Sequence, residues 1–210
     1  MTRGQMRHLI NLRLRPYRDG DIKEDIYHSQ ELINAMLEEG HKEWARETLV
    51  LEAKDTSLTY SSTYDGFALP SDFIKVKYLE WQTDSTEQYS RIKPSTIEYV
   101  KNRRNQWKDL SDESASEIGP GHFAIFNGYI VLDSESETSP YLYYFKYDTA
   151  FSSDSSEPGY DDEFHKYLVD YAMWQLTGDE RWQKQWEFGI QKQKRKRNRT
   201  GNMQARYMGF

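Results

Sequence analysis

The chain has 210 residues, enough for one well-filled core with projecting elements, and no cysteine, which excludes disulfides and thiolate metal sites. No apolar run approaches the roughly twenty residues that span a bilayer, and the opening MTRGQMRHLINLRLR is too charged for a signal peptide, so the product is expected to be soluble and intracellular at synthesis. Charge is divided: residues 181–210 hold nine Lys and Arg against the lone carboxylate of Glu187, while the remainder holds nineteen against thirty-three. Sixteen Tyr and six Trp in so polar a chain suit interfaces as well as a core, and favour an obligate oligomer.

In chain order, Arg3 to Arg15 place Met6, Leu9, Ile10, Arg13 and Leu14 at helical spacing, a short amphipathic helix ended by Pro16. Asp21 then caps a longer helix whose stripe runs Ile22, Ile26, Ile33, Met36, Leu37, Gly40 and Trp44, with Ser29 filling the gap. Beyond Trp44, ARETLVLEAK reads as a continued helix or, from Thr48, as a strand. Residues 55–69 form one or two short strands around a turn at Asp65-Gly66. In FALPSDF, residues 67–73, proline holds Leu69 extended before Ser71-Asp72 turns the chain. IKVKYLEW then sets Ile74, Val76 and Tyr78 on one face and Lys75 and Lys77 on the other, as a half-buried strand does.

Residues 83–89 read as a polar loop. Pro94 suits a first helical turn, and STIEYVKNRRNQW continues as a helix with Ile97, Val100 and Tyr99 or Arg104 along one side. Residues 108–121 are a loose acidic connector. HFAIFNGYIVLD, residues 122–133, sets Asn127-Gly128 between apolar runs, the signature of a type I′ hairpin, and YLYYFKY, 141–147, supplies a third strand beside it. After a second polar connector at 152–159, Asp161, Asp162 and Glu163 crowd the start of a helix, where carboxylates meet the positive end of the dipole. Its inner face is Phe164, Leu168, Tyr171, Ala172 and Gln175 or Leu176, and Gly178 ends it. A last helix from Asp179 presents Trp182, Trp186, Phe188 or Gly189, and Ile190, then dissolves into KQKRKRNR and a tail.

The expected fold class is α+β: a helical bundle with a long N-terminal helix and two C-terminal helices, a small antiparallel sheet with a hairpin at 122–133, and an extended C-terminal arm. A single domain over 1–190, a helical body with a β-region inserted at 56–147, precedes an arm at 191–210.

Chemistry is thinly represented. His8, His28, His41, His122 and His165 show no metal-ligand spacing and read as surface or interface histidines. Asp19-Gly20-Asp21 reads as a turn and cap, since the oxygen ligands of a calcium loop do not follow. No GxGxxG, Walker or GxSxG pattern is present, so no catalytic residue, cofactor or metal is assigned. The run 192–199 fits three roles: docking on an acidic protein groove, lying near DNA, or a solvated helix end.

Taken in succession, the long helix, FALPSDF with its strand, the helix after Pro94, the hairpin ending in YIVLD, YLYYFKY, DDEFHKYLVDYAMWQLTGD and the basic final helix resemble the podovirus-type head-to-tail adaptor family of tailed bacteriophages. The order covers nearly the whole chain, although YYFKYDTAF lacks the proline frequent before the last helices. The resemblance implies a non-enzymatic virion protein at the head–tail junction. It implies a twelve-subunit ring beneath the portal that prolongs the channel around packaged DNA, without sequence specificity or membrane contact, and offers a platform for a nozzle or tail-tube protein. On that reading Lys192, Lys194, Arg195, Lys196, Arg197, Arg199, Arg206, Tyr207, Met208 and Phe210 form the portal-contact arm. Ile22, Ile26, Ile33, Leu37 and Trp44 mark the helix that meets neighbouring subunits. The rival expectations are a DNA-binding protein acting through the basic C-terminal segment and a tail-associated hydrolase with scattered carboxylates.

Overall fold

The computed structural model describes residues 1–19, 29–82, 89–109, 119–134, 138–148 and 151–207, with only the backbone course at the helix ends 16–19, 107–109 and 200–207. In chain order the elements are α1 (Arg3–Asp19), α2 (Gln30–Thr48), β1 (Glu52–Asp55), β2 (Tyr60–Ser61), β3 (Gly66–Ala68), β4 (Phe73–Gln82), β5 (Tyr89–Pro94), α3 (Ile97–Asp109), β6 (His122–Phe126), β7 (Tyr129–Leu132), β8 (Tyr141–Lys146), a 3-10 turn (Asp162–Phe164), α4 (His165–Thr177) and α5 (Glu180–Tyr207). They fall into two compact units, Met1–Leu51 with Lys146–Phe210, which is helical, and Glu52–Phe145, which is rich in strands. Five helices and a curled, mixed eight-stranded sheet among the described residues replace the expected bundle with a small antiparallel sheet.

The helical unit is built around α4. His165 and every residue from Tyr167 to Met173 are buried, because α1, α2 and α5 all pack against this helix. A helix enclosed on so many sides has no solvent face to display, so its sequence is apolar nearly all round. The exception, Asp170, accepts a 2.6 Å hydrogen bond from Arg13, whose guanidinium also lies over the Trp182 ring. Met6, Ile10 and Leu14 of α1, Ile33, Leu37 and Trp44 of α2, and Trp186 and Ile190 of α5 complete the core. Trp44 sits at its centre, 5.6, 5.7, 5.9 and 5.1 Å from the rings of Tyr160, Phe164, Tyr167 and Trp186.

Several boundaries differ from the sequence expectation. Helix α1 runs through Pro16 to Asp19, since proline forfeits one backbone hydrogen bond but already holds a helical φ. Ser29 does not fill a gap in the α2 stripe. It is the N-cap, and its hydroxyl oxygen accepts from the Leu32 amide at 3.1 Å. The helix start expected at Asp21, with Ile22 and Ile26, lies outside the described residues. Leu49 ends α2 in the left-handed region, φ 51°, its amide donating to the Ala45 carbonyl, so the chain becomes a strand by Glu52. The connector at 152–159 is not a loose spacer. Its Ser156 and Asp154 carbonyls accept from the Arg3 and Gly4 amides at 2.9 and 3.0 Å, and the Asp154 carboxylate takes both arms of Arg7. It thereby satisfies amide donors that the first turn of α1 leaves without an intrahelical partner.

In the second unit the strand order is β1-β8-β4-β5-β6-β7-β3-β2, and every registered pair is antiparallel except β5–β6. That exception follows from α3, which carries the chain back across the sheet so that β6 runs beside β5 in the same direction. Val100 of α3 is buried against Ala124 and Val131, and Arg104, not Tyr99, occupies the inner side, donating to the Asp65 carboxylate at 2.6 Å. Pro94 closes β5 and does not open a helix. The hairpin at 122–133 is present with both Asn127 and Gly128 at positive φ. In β4 the buried side chains are Leu79 and Trp81, so Tyr78, next to Leu79, points to the opposite face, half-buried and stacked on Tyr143 at 4.3 Å.

Two glycines set how closely the helices of the first unit approach. A Cβ on Gly189 of α5 would meet the Tyr167 ring at 2.4 Å, and one on Gly40 of α2 would meet Tyr171 at 2.7 Å. Alanine is the better helix former by about 1 kcal/mol. Overpacking a closed core costs about 1–3 kcal/mol. Gly189→Ala is therefore expected to lower the urea midpoint followed by far-ultraviolet circular dichroism; an unchanged or raised midpoint would show that the contact is slack.

Candidate interaction surface on the last helix

Helix α5 continues unbroken to Tyr207, so the basic run 192–199 is helical and the expected extended arm is not found across residues 191–207. The reason lies in its inner stripe. After Trp186, Gly189 and Ile190 the buried positions continue at Gln193 and the half-buried Arg197, keeping the helix seated beyond the apolar residues.

The cations of that run mostly serve the helical unit itself. Lys192 donates to Glu163 at 2.7 Å, Lys196 to both Asp161 and Glu163 at 2.7 Å, and Lys194 to Glu47 at 2.8 Å. Arg197 donates to the Thr48 carbonyl at 2.6 Å, satisfying an acceptor in the last turn of α2. Asp161 and Glu163 thus face α5, while Asp162 lies by the Met1 amine and His165, and neither Asp161 nor Phe164 caps its helix through a side chain. Hydrogen bonds from Lys192 and Lys196 hold the Glu163 carboxyl down at about 2. Arg195 and Arg199 are exposed and, among the described residues, have no ion-pair partner. Phe188, 59% exposed, lies on the same outward stripe of α5, seven and eleven residues earlier. Arg206 and Tyr207 fall on the backbone course of α5, while Met208 and Phe210 lie outside the described residues.

Beside that stripe, α2, α4 and α5 enclose an open groove of about 390 Å³, floored by Tyr171, Trp174, Trp186 and Ile190 and walled by Glu39, Glu43, Glu47 and Glu187. Burial, reinforced by Glu39, pushes the Tyr171 hydroxyl up to about 12, so it stays a donor at neutral pH. Sequence reasoning missed this groove because its walls and floor come from three separated segments. The only local signal is the four-residue spacing of Glu39, Glu43 and Glu47.

The residues assigned to contacts between subunits divide differently. Ile33, Leu37 and Trp44 are fully buried in the chain's own core, beyond a neighbour's reach, and Ile22 and Ile26 lie outside the described residues. His41, His122 and His165 likewise serve the fold. His165 bonds the Met1 amine at 2.7 Å and the Tyr160 carbonyl at 2.8 Å, and His41 contacts the Tyr160 hydroxyl at 3.3 Å. His122 contacts the buried Asp133, which also accepts from the Gly121 and His122 amides. Among the described residues no three acidic or histidine side chains converge as a metal site, and no helix is long and apolar enough to cross a membrane.

The Glu163 linkage has a defined sign. Its folded value lies below the ordinary 4.5, so its stabilisation is complete above that value and is lost as pH falls towards about 2. Amide hydrogen exchange across 190–199, corrected for intrinsic rate, is expected to quicken between pH about 5 and about 2 as the pairing is lost. Glu163→Gln should lose most of that dependence; a flat profile in the unmodified protein would refute the linkage.

No curated protein matches the chain. The family described as SU10 adaptor protein matches residues 1–207, across both units and the whole of α5. A match of that extent includes the basic helical end as well as the sheet, and the chain belongs to the SU10 adaptor protein family, of phage adaptor type.

Proposed function

We propose that this protein is a structural component of the virion that forms a closed ring at the head–tail junction of a podovirus-type phage. The family match over residues 1–207 carries the reading. In the proposal the ring, of twelve copies as in the adaptors that the sequence resembles, binds the portal on one side and a nozzle or tail-tube protein on the other. Packaged DNA passes through its channel without sequence recognition. The portal contact is assigned to the segment that follows Arg199, including Arg206, Tyr207, Met208 and Phe210. Aromatic and basic residues together in one short segment suit a pocket on a larger partner.

The rival DNA-binding reading loses ground on one observation. Lys192, Lys194, Lys196 and Arg197, four of the six cations in the run 192–199, are held by carboxylates or a carbonyl of the same unit. Fewer free cations means fewer phosphates neutralised and a shallower salt dependence.

The same pairing dictates where a truncation is made. Removing residues 191–210 would strip the lysines that hold α5 to Glu47, Asp161 and Glu163, so the informative variant ends at residue 199. The masses of the full chain and of this variant are measured alone and after mixing with purified portal rings. The full chain is expected to join the portal as a multi-subunit ring, and the shortened one to lose at least about tenfold in affinity, a loss of about 1.4 kcal/mol. If neither joins the portal and the full chain instead retards duplex DNA in a salt-dependent way, the DNA-binding reading replaces this one.

A further inference from the structure

We infer that neighbouring copies join by setting the outward stripe of α5, Phe188 with Arg195 and Arg199, into the acidic, aromatic-floored groove of the next copy. The inference rests on the ring reading and deepens it by naming the two faces that meet.

The two surfaces are complementary in kind. Phe188 is the most exposed of the large apolar side chains among the described residues, and the groove floor of Trp174, Trp186 and Ile190 is apolar. Burying a phenyl ring there removes the ring itself and the half-buried Trp174 from water, Trp186 and Ile190 being already buried in their own copy. Arg195 and Arg199 follow Phe188 along α5 at a rise of about 10 and 16 Å. Glu39, Glu43 and Glu47 follow one another on α2 over about 12 Å, a comparable length.

The groove keeps its acidic balance after its internal contacts are counted. Glu43 pairs with Arg46 at 2.7 Å and Glu47 with Lys194 at 2.8 Å, while Glu39 is hydrogen-bonded with the neutral Tyr171 hydroxyl. Each carboxylate has lone pairs for a further donor, and an arginine fork supplies two at once. On the other face, Arg195 and Arg199 have no ion-pair partner among the described residues.

Stripe and groove are different surfaces of one chain, so each copy offers one of each. Such a contact is heterologous and propagates head to tail, closing into a ring where the rotation permits. It also gives the buried Ile33, Leu37 and Trp44 no part between copies, in keeping with their place in the core.

The chain is tested by charge reversal, with assembly read as mass against protein concentration, both alone and on portal rings. The variants are E39K/E43K, R195E/R199E and an equimolar mixture of the two, with thermal melts checking each fold. The neutral pairs E39Q/E43Q and R195Q/R199Q serve if a reversal melts early. Each reversed variant alone is expected to need at least about tenfold more protein to assemble. The mixture should recover assembly, because the arginine stripe then meets a glutamate groove and the glutamate stripe meets a lysine groove. Variants that assemble like the unmodified protein, a mixture that fails to recover, or an unmodified protein that stops at a dimer would overturn this interface. An unmodified protein that never assembles, alone or on portal rings, would remove the ring reading itself.

Discussion

Close approach to the tyrosines of α4 is the constraint on which the helical unit depends. Gly40 lets α2 lie on Tyr171, and Gly189 lets α5 lie on Tyr167, both at separations where any side chain would collide. With the helices this near, Trp44 is surrounded by four aromatic rings and no face of α4 between Tyr167 and Met173 is left to solvent. Interiors packed to this density tolerate little change in volume, so the rotation of α5 about its own axis is set by the contact.

That rotation assigns every residue of the basic run its surroundings. With Gly189 and Ile190 inward, Lys192 and Lys196 turn towards Asp161 and Glu163, Lys194 turns towards Glu47, and Arg197 reaches the last turn of α2. Phe188, Arg195 and Arg199 are left facing water. The acidic body and basic tail seen in the composition are therefore partly reconciled inside one unit, and only the remainder is available to partners. Surface pairs of this sort are screened by salt and individually weak. Their number along one helix gives α5 a seat that continues past the last apolar residue.

The sheet unit follows another constraint. Apart from the ten-residue β4 its strands are short, and the parallel β5–β6 pair exists only because α3 bridges it. Asp133 ties the end of the hairpin through two amides and His122, while Asp65 anchors the β2–β3 turn to Tyr60 and Arg104. Two buried or half-buried carboxylates thus hold turns that have little apolar content of their own.

Local chemistry written in the sequence determined what depends on neighbouring residues: the stripe Ile33, Leu37, Gly40 and Trp44, the Asn127-Gly128 hairpin, the left-handed Gly178 that ends α4, and the turn at Asp65-Gly66. Periodicity and turn geometry are short-range properties, so they survive without knowledge of the fold. Strand β5 escaped because only Ile92 of its six residues is buried, which leaves no alternation to read. The contacts made by the polar stretch 152–159 and the acidic residues 161–163 were not legible because their partners, Arg7 on α1 and Lys192 and Lys196 on α5, are distant in sequence. Only tertiary structure decided which cations are consumed and which remain, since that choice rests on the angle at which α5 meets α4. A glycine against a tyrosine ring sets that angle, and no pattern along the chain announces the contact.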